Sequence, residues 1–135
     1  MERLKIAIQK SGRLNEDSLR ILKECGISIS NGLDQLKATV SNFPLEIFYL
    51  RNSDIPQYLR DGVVDLAIIG ENLLEEKDDG RIKISERLNF SKCRVSLAVP
   101  KSFSYNGIED LQGKRIATSY PNTLNKYLAR MGVEA

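Results

Sequence analysis

Apolar residues at Leu4, Ile6, Ala7 and Ile8 break off abruptly at Gln9-Lys10-Ser11-Gly12-Arg13, and Leu19, Leu22 and Cys25 then recur three apart. This pattern predicts a buried strand, a tight glycine turn, and a helix running to about Glu24 that Asn15 or Asp17 caps and Gly26 stops. Ile27 to Ser30 reads as a short extended piece, Asn31-Gly32 as a turn, and Gln35 to Val40 as another strand. Leu45 to Leu50 is a strand ending in the polar cluster Arg51-Asn52-Ser53-Asp54. Asp54 with Pro56 then opens a helix that carries Ile55, Tyr58 and Leu59 and closes at Asp61-Gly62.

Val63 to Ile69 is the most continuous apolar run, interrupted only by Asp65, and predicts a central strand buried on both faces. Asp65 is expected to serve as a structural hydrogen-bonding residue at its start. The run ends at Gly70-Glu71-Asn72, and Leu73 to Glu76 begins a short helix. Lys77 to Arg81 reads as a charged loop, Ile82 to Leu88 as a short strand, and Cys93 to Val99 as an alternating strand stopped by Pro100. Ser102 to Gly107 is a linker or crossover and Ile108 to Leu111 a helical turn. Lys114 to Thr118 starts a new strand, then Ser119 to Thr123 a turn, then a helix with Leu124, Tyr127, Leu128 and Met131 that stops at Gly132. This repeats the opening arrangement. Residues 1–100 thus read as one α/β lobe, and 101–135 as a crossover and the incomplete start of a second. One β–α unit cannot cover its own apolar faces, so the sequence reads as cut short inside a domain.

Three of these strands end in polar or glycine turns before helices. Right-handed β–α–β connections bring such turns to one side of a sheet, where open α/β folds bind ligands. A shared crevice there would hold Lys10, Arg13, Arg51, Asp54 and Glu71. Free backbone N–H groups and the positive helix end, with the cations Lys10 and Arg13, suit a phosphorylated ligand. An ordinary β–turn–α corner with solvated charges is the alternative.

Composition narrows the chemistry. The 135 residues suffice for one domain with a moderate core, and a formal charge of +2 without a basic run gives no reason to expect nucleic acid. No apolar stretch approaches a membrane span, and the N-terminus enters a strand directly instead of a signal sequence, so the expected location is the cytoplasm with no membrane partner. Cys25 and Cys93 lie far apart and are expected as reduced, partly buried thiols. The absence of histidine removes an imidazole base, a His–Asp pair and a histidine zinc site.

Four segments together resemble the ATP phosphoribosyltransferases that begin histidine biosynthesis. They are Gln9 to Leu14, Asp61 to Asn72, Cys93 to Ala98, and Gly113 to Pro121, in the family's order and spacing. The likeness is nearest to the long-form enzymes, which carry a C-terminal regulatory domain. It implies an α/β, two-lobed fold like a periplasmic binding protein, with the first lobe largely present and the second truncated. It implies transfer of phosphoribosyl from phosphoribosyl pyrophosphate to N1 of ATP, with pyrophosphate released and Mg²⁺ present. It also implies a cytoplasmic homo-oligomer, dimer to hexamer, inhibited by histidine through a C-terminal domain that these residues do not include. The family's phosphoribosyl-pyrophosphate loop has no counterpart here, so this stretch alone is expected to be inactive.

Carried onto these motifs, the resemblance implies catalytic roles for Glu71 and Arg115. It implies an ATP site made of Gln9, Lys10, Ser11, Gly12, Arg13, Arg51, Gly70, Arg94 and Tyr120, with no protein metal ligand assigned. Lys10 and Arg13 would bind phosphate oxygens, Arg51 and Arg115 frame the nucleotide, and Glu71 sit near the adenine. Glu71 as a helix-dipole carboxylate, Arg115 as a solvated strand residue and Tyr120 as a packing residue are the structural alternatives. A non-catalytic, cytoplasmic small-molecule-binding module of the same two-lobed fold is the alternative function.

Overall fold

The computed structural model describes residues 2–29, 36–77 and 80–135. The Asn31-Gly32 turn, Ser30, Gln35 and residues 78–79 of the charged loop lie outside the described residues.

Alternation along the first strand decides the layers. In β1 (Leu4–Gln9), Ile6 and Ile8 point to one face and Ala7 to the other, and all three are buried. Strand β3 (Leu45–Leu50) runs parallel to β1 in the register Leu4 to Leu45 through Gln9 to Leu50. Strand β2 (Lys37–Thr39) pairs antiparallel with β3, and Ile29 bridges to Val40. Strand β4 (Leu66–Ala67) pairs parallel with β1, which gives a four-stranded sheet in the order β2-β3-β1-β4.

Helix α1 (Arg13–Glu24) covers one face. Its Leu22, with Leu19 partly buried, packs on Ile6, Ile8, Ile47, Tyr49 and Val40. The other face carries helix α2 (Ile55–Arg60), whose Ile55 joins Ala7 and Val64, with Phe48, Leu50 and Leu59 against them. Two faces covered by two helices is what burying a mainly parallel sheet requires. A third cluster lies apart from the sheet. Leu111, at the end of a 3-10 turn (Ile108–Leu111), packs with Leu128 of helix α4 (Pro121–Arg130) and with Val133.

Asp65 acts as expected. Its carboxylate accepts from the Lys5 N–H at 2.9 Å and its own N–H donates to the Lys5 carbonyl at 2.8 Å, which pins the entry of β4 to β1.

Several expectations are corrected. The Val63–Ile69 run yields only a two-residue strand at the sheet edge, with Val63 and Leu66 exposed, because β1 is its one strand partner among the described residues. Residues 82–88, 93–99 and 114–118 form no strand. Alternation marks a chain that can join a sheet but does not supply the neighbour, and Val95, Leu97 and Val99 stay exposed. Helix α1 begins earlier than its polar residues suggest. Its N-cap is Gly12, and Asn15 and Asp17 lie inside it. Asp54 occupies the N-cap of α2 but makes no side-chain cap bond, because its carboxylate is taken by Arg51 Nε at 2.9 Å. Both cysteines are free and exposed.

Candidate functional site

Because β3, β1 and β4 are parallel, their C-terminal ends share one edge of the sheet. That edge receives Gln9 to Arg13 from β1, Arg51 from β3, and Gly70-Glu71 from the turn after β4. The Lys10 N–H donates to the Leu50 carbonyl at 2.8 Å, which carries the β1–β3 ladder one residue past the strand and holds the two exits side by side.

The β1–α1 corner is built by Gly12. Its φ of 90° and ψ of −170° turn the chain sharply into the helix, a conformation open essentially to glycine alone. Asn15, in the first turn of α1, donates from Nδ2 back to the Gln9 carbonyl at 2.8 Å and braces the corner. No side chain caps the helix, so its first N–H groups face the corner together with the positive helix end. Lys10 and Arg13 are the adjacent cations. Among the described residues neither has a carboxylate partner. Unpaired cations beside an uncapped helix start make a receptor for anionic oxygen.

The other strand ends differ. Arg51 is tied to Asp54 of its own turn, with its side chain largely exposed. Gly70 accepts at its carbonyl from the N–H groups of Leu73 and Leu74 and so starts helix α3 (Glu71–Lys77). A Cβ on Gly70 would lie 2.5 Å from Asn72 Oδ1, so glycine there leaves room for the Asn72 side chain. Asn72 uses that room to donate from Nδ2 to the Tyr120 hydroxyl at 2.9 Å. Tyr120 is thereby brought to the same edge from 48 residues away in sequence. Glu71 is exposed and its Oε1 pairs with Arg87 Nη1 at 2.5 Å. Sequence reading did not anticipate that partner.

Of the residues expected to form the site, Gln9 to Arg13, Arg51, Gly70, Glu71 and Tyr120 are brought to this edge. Arg94 and Arg115 are exposed and make no described hydrogen bond or ion pair to it. A shallow depression of about 460 Å³ lies along α2, lined by Arg51, Asp54, Gln57, Tyr58, Asp61 and Val63. It shares Arg51 and Asp54 with the expected crevice, and Arg51 alone with the expected ATP site.

Sequence reading passed over two buried polar residues, of which Glu76 joins α3 to α4. Glu76, at the end of α3 and only 4 % exposed, accepts from the Asn122 N–H at 2.9 Å and the Thr123 N–H at 2.8 Å. It caps α4 from another helix, and Asn122 Nδ2 donates back to the Glu76 carbonyl at 3.1 Å. Ser18 is fully buried in α1 and satisfies its hydroxyl on the Leu14 carbonyl at 2.6 Å. An isolated serine or glutamate on a helix carries no sequence signal for either role.

A family model described as ATP phosphoribosyltransferase matches residues 51–135. An ATP phosphoribosyltransferase from Cytophaga hutchinsonii is 50% identical over 132 residues, covering 98% of this chain and 46% of that protein. The chain thus spans about half the length of the curated relative it matches. Among solved structures, the ATP phosphoribosyl transferase (HisG:HisZ) complex from Thermotoga maritima aligns with a TM-score of 0.55 at 24% identity. That alignment covers 97% of this chain and 61% of the other, and at this identity it speaks to the fold.

Proposed function

The chain belongs to the ATP phosphoribosyltransferase family, and from that premise we propose that the whole protein joins N1 of ATP to C1 of phosphoribosyl pyrophosphate in the first step of histidine biosynthesis. The observation that carries the site is the gathering of three parallel strand ends at one edge, with Lys10 and Arg13 unpaired at an uncapped helix start.

The chemistry suits these residues. Adenine N1 holds a lone pair and needs no deprotonation to attack. As the new N1–C1 bond forms, the C1–O bond to pyrophosphate breaks and its electron pair leaves with pyrophosphate. Positive charge grows on the sugar while negative charge grows on the leaving group, so placement and charge stabilisation supply the catalysis. In this reading Gln9, Ser11 and Gly12 shape the corner where Lys10 and Arg13 grip phosphate, and Arg51 and Arg115 flank the nucleotide. Gly70, Glu71 and Tyr120 border the adenine, with Arg94 near the phosphates. Glu71 must exchange Arg87 for substrate to do so.

Mg²⁺ belongs to the proposal only as an ion carried by substrate phosphates. Among the described residues no group of three or more carboxylate, thiol or imidazole side chains is placed to hold a metal, and Mg²⁺ commonly binds through phosphates and water. The same reading puts the protein in the cytoplasm as a homo-oligomer under histidine inhibition. It makes residues 1–100 the first lobe of a two-lobed fold and 101–135 the beginning of the second. The separate apolar cluster of Leu111, Leu128 and Val133 supports that division.

The test uses the full-length protein with ATP and phosphoribosyl pyrophosphate, following phosphoribosyl-ATP and pyrophosphate together. Arg13→Ala removes a charge-assisted phosphate contact of about 1.5–3 kcal/mol. The ATP KM should rise roughly 10- to 150-fold. An unchanged KM would remove Arg13 from the site, and ligand binding without turnover in the wild type would favour the non-catalytic module.

A further inference from the structure

Residues 87–94 form no helix or strand, yet they are tied down at two places. Arg87 pairs with Glu71 at the start of α3, and Ser91 Oγ donates to Asp17 Oδ2 at 2.5 Å on α1. The two ties differ in weight. Arg87 and Glu71 are both more than half exposed, and such pairs contribute little. The Asp17 side chain is 13% exposed, and its second oxygen takes Arg20 Nη2.

The backbone at the inner tie is unusual. Asn89 has φ 60° and Ser91 φ 50°, and these are the non-glycine residues with positive φ among the described residues. Asparagine visits that region readily, whereas serine persists there only where its surroundings hold it, and such positions gather at functional sites. The Asp17 carboxylate is the group that holds Ser91. Asp17 lies four residues after Arg13, one helical turn along the same face. Arg94 lies three residues after Ser91, a span of at most about 11 Å. The Ser91–Asp17 tie therefore limits the Arg94 backbone to within about 11 Å of a residue held on α1 one turn past Arg13.

We propose that Asp17 and Ser91 are positioning residues for the nucleotide site, holding Arg94 beside the Lys10–Arg13 corner as a third cation for the same anionic ligand. The proposal rests on the function inferred above and adds the means by which a segment without secondary structure presents its arginine. Asp17 and Ser91 touch each other rather than substrate, so their effect runs through Arg94.

The experiment measures ATP affinity and steady-state kinetics of the full-length protein and its variants Ser91→Ala, Ser91→Asn, Arg94→Ala and Ser91→Ala/Arg94→Ala. Ser91→Ala should weaken ATP binding three- to tenfold, with a smaller change in kcat. Ser91→Asn keeps a donor and tolerates positive φ, and it should restore affinity to within twofold. The double variant should bind no more weakly than Arg94→Ala, because both changes remove one interaction. Additive losses, or an unchanged affinity in Ser91→Ala, overturn the positioning role while leaving ATP binding in place. A wild-type protein that binds no ATP overturns the function itself and this role with it.

Discussion

Glu76→Ala is expected to lower the unfolding free energy by about 2 kcal/mol, the loss of a charged helix cap together with two charge-assisted hydrogen bonds. It should be read as a fall in the denaturant midpoint at constant slope. The size follows from burial: the carboxylate is almost inaccessible, and it meets the Asn122 and Thr123 N–H groups that start α4. Removing it leaves those donors without their partner. Glu76→Gln should lose less, because one amide oxygen can still accept.

The same carboxylate gives the chain an acid limb of stability. Burial is the strongest influence and raises its pKa. The backbone N–H groups of Thr123 and Asn122, aided by the charge of Lys77, more than offset it, so the group titrates below the ordinary glutamate value. A carboxylate with a depressed folded pKa contributes stability that is present above its unfolded pKa, about 4.3. That stability drains away as pH falls through the lower folded value. The stability gap between wild type and Glu76→Gln should therefore be constant at neutral pH and close below pH about 4.3. A gap that is flat down to pH 2 would contradict the cap.

How legible these features were depends on whether a single stretch of chain determines them. Strands β1 and β3, helices α2 and α4 and the Ile108–Leu111 turn follow from local periodicity and stop signals and form where the pattern puts them, whereas α1 starts ahead of its expected caps. The parallel arrangement followed from the handedness of β–α–β connections, and it brings the three strand exits together. The Cys93–Val99 alternation failed because a strand is a property of two segments, and no described segment pairs with this one. The helix caps failed for a related reason. Asp54 had a nearer partner in Arg51, and α4 takes its cap from Glu76, 46 residues earlier. Polar side chains choose among all neighbours in space, and spacing along one element cannot rank them. The site divides the same way. Gln9 to Arg13 is a local corner and could be read directly, whereas the Asn72–Tyr120 and Asp17–Ser91 contacts join distant segments.

Gly12→Ala should cost about 2 kcal/mol, and in the full-length protein it should weaken ATP binding as well. Crowding does not explain the penalty. A Cβ at this position would meet only Gln9 Nε2, at 3.5 Å, which is ordinary contact. The backbone explains it: φ 90° with ψ −170° lies outside the left-handed helical well and is strained for any side chain by about 1–3 kcal/mol. Gly62 provides the internal control. It follows the last turn of α2 at φ 74° with nothing near an added Cβ, a helix-end position of the kind asparagine accepts. Gly62→Asn should therefore cost less than about 1 kcal/mol, whereas Gly12→Asn should cost as much as Gly12→Ala. Relaxing the corner also moves Lys10 and Arg13 relative to the start of α1, so lost stability and lost nucleotide affinity should appear together at Gly12 and not at Gly62. Equal stability losses from asparagine at the two glycines would mean that the corner is a generic turn, and the geometric argument for an anion receptor at the end of β1 would fall with it.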